Sequence, residues 1–561
     1  MTTQDATDAP HTADPRPDAL GDLVTALTAL NYGRDTVTGV LGTVGWREAL
    51  QGNPGAALRR LTSADRDSRD SQGSQGSQGS QGSQGSQGSQ GSRDSRDMVM
   101  TGCFFLRDAT SRTDLCALLG EDLVDRLRDA GVLLPGSGDS LVSTVDIRPV
   151  DDPHHGTDGL LIVSDPDASL DVRVPGPDHV PGVGQAPLTL LNQVPAGRPG
   201  RLLDLGTGSG VLALSLDADE VVATDIHGRA LDFARVSERS VLRTSGERRP
   251  VDWREGSWFG PVDGEYFDRI VSNPPFVVGV GEVGHVYRDS GLELDGASRL
   301  VAAGAAGHLS PGGTAHLLGA WATGFTESPA FRVASWLPET GIRAWVVQRD
   351  EVDPETYVRT WLTDESVDIR TTEGRDRTRR WLDMFADHGV TRIGMGYLHM
   401  QRIDGPSEVT FEEITTPDLG FFGDEVAEWF LRNGWLSDRD AGDILDTSFA
   451  VRPTVARESV ELPDPTGIGF RGTVLRLTRT DGPRFSHEID TPLSAVVAGL
   501  NPNGLSLRDT AGLYCAVNDL DDEAFTSALV PLVVDLVRHG LLLPADLLDG
   551  DSVAGYGEGL R

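Results

Sequence analysis

Asn273-Pro274-Pro275-Phe276 closes an apolar run, residues 267–271, whose length and composition predict a short buried strand. Two prolines in a row end a strand's ladder, because neither has an N–H to donate. The residue ahead of them, Asn273, is confined to extended geometry. A rigid turn is therefore expected at the strand's C-terminal end, the edge where open α/β sheets hold ligands. Such a turn suits a planar NH2 group, whose lone pair is delocalised and whose nitrogen is a poor nucleophile. The Asn273 carboxamide oxygen and the Pro274 carbonyl can each accept one hydrogen, which aims the nitrogen, and neither is a strong base. The Phe276 ring can stack on a flat substrate. From the tetrapeptide alone, a plain Pro-Pro loop exit reads equally well.

A second stretch supplies what the turn would face. Residues 201–205 read as a strand entering Gly206-Thr207-Gly208-Ser209-Gly210, and a helix follows from Val211. Glycines at alternate positions let backbone approach a ligand closely. The next strand ends in Asp225, nineteen residues after Gly206, a spacing that suits an acid on ribose hydroxyls. A dinucleotide fingerprint would want glycine at position 211, which is Val211. The pattern favours a nucleoside ligand over a dinucleotide.

Asp204 through Gly210, Asp225, and Asn273 through Phe276, in that order, resemble the class I S-adenosyl-L-methionine-dependent methyltransferases. The likeness is to the amino-methylating branch, which includes the HemK-like release-factor glutamine methyltransferases and the small-subunit rRNA guanine-N2 methyltransferases. It covers about residues 170–405. The resemblance implies an α/β fold with a seven-stranded Rossmann-like sheet whose last strand is inserted antiparallel. It implies S-adenosyl-L-methionine as cofactor and no metal. Carried over by position, Asp204, Gly206, Thr207, Gly208 and Gly210 would hold the methionine part of the cofactor. Asp225 would bind the ribose and Ile226 would border the adenine. Ser257 and Trp258 lie where relatives carry an acid followed by an aromatic near the adenine amino group, with Ser257 in the acid's place. Asn273, Pro274, Pro275 and Phe276 would form the catalytic turn, with Asn273 also bordering the cofactor. The implied reaction is methyl transfer to a planar NH2 nitrogen of a macromolecule. The target is a nucleobase exocyclic amine of RNA or DNA, or a glutamine amide of a translation factor. A catalytically silent cofactor-binding scaffold is a further alternative, disfavoured by the intact turn.

Charge bears on the choice of partner. The net charge is −36 and every basic residue is arginine, which counts against a strong nucleic-acid binder. Arg243, Arg248, Arg249 and Arg254 form a local basic cluster that reads as a solvated face. Cys103, Cys116 and Cys515 are too few and too far apart for a disulfide framework and fit reduced thiols. No apolar run is long enough for a membrane span, and the N-terminus lacks a signal-peptide pattern. A cytoplasmic protein with no membrane partner is expected; oligomeric state is left open.

At 561 residues, several domains are expected. Residues 1–18 read as a disordered tail. Residues 19–150 read as a helical, winged-helix-like domain carrying a Ser-Gln-Gly low-complexity insertion over 64–97. Residues 151–405 would be the methyltransferase domain, starting with a strand at 159–164. Residues 406–561 would be a mixed, winged-helix-like domain whose His539-Gly540-Leu-Leu-Leu-Pro544 echoes Ala130-Gly131-Val-Leu-Leu-Pro135. Residues 178–188 read as a lid, with His179 structural because the transfer needs no strong base. Residues 277–284 would line the substrate mouth. Arg288 and Asp289 would either contact substrate or pair with each other.

Overall fold

Strands β1 (Arg201–Leu205), β2 (Glu220–Asp225), β3 (Asp252–Glu255), β4 (Phe267–Ser272), β5 (Leu309–Thr323), β6 (Thr340–Val352), β7 (Arg392–Pro406) and β8 (Glu408–Glu413) form one mixed sheet in the order β8-β6-β7-β5-β4-β1-β2-β3. The computed structural model describes residues 15–50, 53–62, 95–166, 176, 178–245, 250–280, 291–365, 367–415 and 420–548. The Ser-Gln-Gly repeat, Arg288, Asp289, Arg248 and Arg249 lie outside them. β3, β2, β1, β4 and β5 run parallel, and β7 is inserted antiparallel between β5 and β6. The seven expected strands are all present, with β7 in the expected orientation.

β8 was not foreseen. It pairs parallel with β6 from Arg343↔Glu408 to Gln348↔Glu413 and covers what would be an open edge. The sheet therefore continues past residue 405, where the domain boundary was expected. A second correction concerns the strand expected to open the methyltransferase core. Thr157–Ser164 is a strand, but it pairs antiparallel with Asp146–Asp152 in a ribbon of its own and does not join the central sheet. The central parallel strands are buried on both faces, as the runs at Leu202–Leu205 and Val221–Thr224 show.

The chain divides into two compact units, one reaching Leu191 and resuming from Arg198 to Glu413, the other Asn192–Gly197 with the chain from Ile414 onward. In the first unit, helices Pro15–Ala29 and Arg34–Leu50 are separated at Asn31, whose φ is 57°. Residues 15–18, expected within the tail, form the first turn of the opening helix; residues 1–14 lie outside the described residues. Helices Arg112–Leu119 and Glu121–Asp129 lead into a hairpin of Leu133–Pro135 with Ser140–Ser143. Leu20, Leu23 and Leu27 share one apolar cluster with Ala230, Phe233 and Val236 of the helix Gly228–Ser245. The Tyr32 hydroxyl donates to the Ile147 carbonyl at 3.0 Å. The N-terminal helices thus pack onto the outer helix of the sheet, and strand Asp146–Asp152 runs straight through position 150.

The second unit packs Trp435, Phe449, Val533 and Leu542 into its own core. The echo between the two sequence segments is structural. Helix Glu121–Asp129 exits through Gly131 (φ 68°) into Leu133–Pro135, and helix Asp522–Arg538 exits through Gly540 (φ 69°) into Leu542–Pro544. Left-handed glycine is the common helix stop, because it lacks the Cβ that this conformation crowds.

Candidate active site

β1 and β4 are neighbours, yet the chain builds β2 and β3 on one side of β1 before crossing back to place β4 on the other. The loops leaving these two strands must therefore diverge, which opens a crevice at the C-terminal sheet edge. The Ser272 hydroxyl, fully buried at the end of β4, donates to the Leu205 carbonyl at the end of β1 at 2.7 Å. This bond fixes the starting points of the glycine turn and the Asn-Pro-Pro-Phe turn relative to each other. A cleft of about 1070 Å³ lies there, lined by Gly206, Thr207, Gly208, Asp225, Ile226, Ser257, Trp258 and Asn273 through Phe276.

Two of the expected cofactor residues stand behind the cleft wall. Asp204 is fully buried and does not line the cleft. Its Oδ2 accepts from the Thr207 hydroxyl at 2.6 Å and from the Ala213 amide at 2.9 Å, so it shapes the turn. Its Oδ1 has no hydrogen-bond partner. Burial pushes the Asp204 pKa up to about 7, and the charge on Asp225 adds to the rise. Gly210 (φ 90°) also stands off the wall: a Cβ there would lie 3.1 Å from that of Ala234, so this glycine serves helix packing. At Gly206 and Gly208, with φ of 73° and 56°, an added Cβ would meet nothing within 4 Å. There the backbone twist demands glycine, and open space lies beside the chain.

Asp225 is held on both oxygens. Oδ2 accepts from the Gly208 amide at 2.9 Å and Oδ1 from the His227 amide at 2.9 Å. Burial raises its pKa, and those two amides pull against the rise. Trp258 sits at φ 49°, an uncommon conformation for a bulky residue. On the opposite wall, Pro274 is buried while Asn273, Pro275 and Phe276 are partly exposed. Asn273 lines the cleft, and its carboxamide makes no hydrogen bond among the described residues. Behind the turn, the Val278 amide donates to the Tyr357 hydroxyl at 2.8 Å, anchoring the loop to helix Pro354–Asp364.

The segment expected as a lid forms a wall. The Ser209 hydroxyl donates to the Pro181 carbonyl at 3.0 Å, and the Val180 amide donates to Asp165 at 2.9 Å. Arg229 grips the same Asp165 carboxylate with both terminal nitrogens at 2.5 Å. His179 Nδ1 stands 3.9 Å from Asp165. Arg254, expected on a solvated basic face, is paired with Glu265 and Asp252.

Contributors to the cleft that sequence reasoning missed include Asp146, Arg148 and Ser164 from the N-terminal ribbon, and Thr360, Trp361, Thr363 and Asp364 from the helix that carries Tyr357. The one signal for Arg148 was an arginine set between the apolar residues Ile147 and Val150. Both of those neighbours are buried, and so is Arg148.

The model of the methyltransferase small domain matches residues 182–318, which span the glycine turn, Asp225 and the Asn-Pro-Pro-Phe turn. The chain carries a class I methyltransferase domain related to the release factor glutamine methyltransferases. The release factor glutamine methyltransferase of Xylella fastidiosa (strain Temecula1) is 37% identical over 138 residues, covering 22% of this chain and 48% of the relative. That of Rhodospirillum rubrum is 33% identical over 164 residues, covering 27% and 47%. The chain thus spans about half the length of these relatives. A solved 16S rRNA N2 G1207 methyltransferase from T. thermophilus, in complex with AdoMet and guanosine, is 17% identical, covers 40% of this chain and 58% of its own, and superposes with a TM-score of 0.20. A score that low carries no weight for fold or function. Beyond the methyltransferase domain, residues 427–544 match a domain of unknown function (DUF7782). Among the described residues, no helix is long and apolar enough to cross a membrane.

Proposed function

We propose that this chain is an S-adenosyl-L-methionine-dependent N-methyltransferase whose target is the amide nitrogen of a glutamine side chain in a protein. The observation that carries the reading is the Asn273 carboxamide in the same cleft as the open backbone of Gly206 and Gly208. The volume supports it, since about 1070 Å³ exceeds what a drug-sized ligand needs and leaves room for a target side chain.

The residues fit the cofactor. Gly206 and Gly208 offer close backbone approach, Asp225 brings a carboxylate to the cleft wall, and the orphaned Asp204 Oδ1 lies just behind the turn. When bound, the cofactor supplies an electrophilic methyl group on a sulfonium. Asn273 and the Pro274 carbonyl orient the target nitrogen by accepting its two hydrogens, and those bonds strengthen as the nitrogen gains positive charge. Phe276 packs on the flat amide. Positioning alone contributes roughly 7–11 kcal/mol where reacting atoms are held in line. No side chain needs to remove the proton beforehand.

Glutamine is favoured over a nucleobase on two grounds. The curated relatives with the quoted identities are named for glutamine of release factors. The net charge of −36 counts against a phosphate-rich partner, and Arg254 of the basic cluster is already ion-paired. Incubating the chain with methyl-tritiated cofactor and either a release factor or total RNA tests the choice. Label in the release factor, lost when its target glutamine is replaced, supports the reading; label in the RNA alone overturns it.

A further inference from the structure

One sheet of the second unit ends in an open strand. β9 (Val455–Pro463), β10 (Phe470–Arg479) and β11 (Ser486–Ile489) form an antiparallel sheet in that order, and among the described residues no strand pairs with the outer edge of β9. The ladder to β10 uses even-numbered positions. The Thr454 carbonyl accepts from the Thr480 amide at 2.9 Å, and the Asp464 amide donates to the Gly469 carbonyl at 3.0 Å. The register shift after Val460 skips a residue of β10, so the alternation along β9 is kept. Arg457, Ser459 and Glu461 therefore turn their backbone groups outward. All three residues are exposed.

Proteins commonly blunt such an edge with like charges or with proline. Pro463 closes this one, but its charges are of opposite sign and stand evenly about Ser459, with Arg457 two residues before and Glu461 two after. An antiparallel strand of the same sequence, paired about a two-fold axis at Ser459, sets Arg457 opposite Glu461 twice. It also sets Ala456 opposite Leu462, which is 54% exposed. About six backbone hydrogen bonds form, two from each of the three facing pairs. Moving the axis one residue back puts Glu458 opposite Glu458, and moving it one forward leaves Arg457 opposite Pro463. Charge thus selects one register. Within its own chain, Arg457 donates to the neutral Ser494 hydroxyl at 3.3 Å.

We propose that a second copy of this chain pairs with the first, edge to edge along β9, with the two-fold axis at Ser459. The net charge of −36 makes two copies repel at long range. Physiological salt screens that repulsion beyond about 8 Å, whereas the facing Arg457 and Glu461 meet within it. The inference is independent of the methyltransferase reading.

Sedimentation of the full chain at physiological salt tests it. The wild type is expected to dimerise with a Kd of about 1–100 μM, as suits a small interface. Arg457→Glu and Glu461→Arg each make the facing pairs like-charged, and each is expected to weaken the dimer about tenfold or more. The two together are expected to restore it to within about threefold. Within one chain these residues stand about 13 Å apart, so the restoration reports a contact between copies. Ser459→Cys brings facing Cα atoms to about 5.5 Å and is expected to yield a covalent dimer on oxidation, in excess of any in wild type. A wild type that stays monomeric, a dimer indifferent to both reversals, or single losses that the double variant does not restore overturns the proposal. Should a charge variant lose its fold by circular dichroism, the Ser459→Cys cross-link decides, and no excess over wild type refutes the pairing.

Discussion

The Ser272 hydroxyl reaches across the sheet edge to the Leu205 carbonyl at 2.7 Å, one residue before Asn273 on one strand and one before Gly206 on the other. Both partners are buried. The bond couples the two turns that the proposed chemistry needs at a fixed separation. Replacing Ser272 with Ala leaves the Leu205 carbonyl buried without this donor, at a cost of about 1–3 kcal/mol. We expect a lower melting temperature and a larger fall in kcat than in cofactor affinity. Thermal denaturation and steady-state kinetics on the variant check both.

Asp225 ties the glycine turn to the end of β2 through the Gly208 amide. Asp225→Ala removes the carboxylate and frees that amide together. Cofactor affinity should fall at least about tenfold, as expected when a charged hydrogen-bond partner is lost. Equal affinities for variant and wild type by calorimetry would refute the assignment.

Asp204 gives the fold a pH dependence. Its pKa stands at about 7 in the folded chain against an ordinary 3.8, so the protonated form is the better tolerated one. A group raised in this way contributes stability that is full below about pH 4 and is lost as pH climbs to about 7, by up to about 4 kcal/mol. Urea unfolding across that window should show the decline in wild type. Asp204→Asn, which cannot ionise, should flatten it.

The Tyr357 hydroxyl holds the backbone just beyond the catalytic turn. Tyr357→Phe keeps the ring within its cluster of Trp361, Trp381 and Phe385 and deletes only the hydroxyl. The Val278 amide is then buried without its partner. We expect stability to drop by about 1–3 kcal/mol in urea titrations, with the secondary structure unchanged by circular dichroism.

Much of this was legible in the residues because each feature had a local cause. The buried parallel strands read as apolar runs, Pro274 and Pro275 could only end one, and Gly206 and Gly208 proved to need the left-handed backbone that only glycine takes freely. What was missed is a matter of which strand pairs with which. Residues 159–164 look like any core strand, but they close a local hairpin with Asp146–Asp152 and do not join the central sheet. β8 alternates polar and apolar residues from Glu408 to Glu412, and its place beside β6 is a matter of register. Arg148, more than thirty residues upstream of the matched domain, reaches the cleft from the N-terminal ribbon. Asp204 was legible as a site residue, but its burial, which turns it from a ligand contact into the support of the turn, was not.

The most direct measurement is a single-turnover transfer of labelled methyl to a glutamine-bearing release factor by wild type and by Asn273→Ala, with cofactor affinity read in parallel. If the carboxamide in the cleft orients the target nitrogen, the variant loses on the order of 10²–10³ in rate while cofactor affinity stays within about threefold. A variant that transfers the methyl group at the wild-type rate would contradict the account.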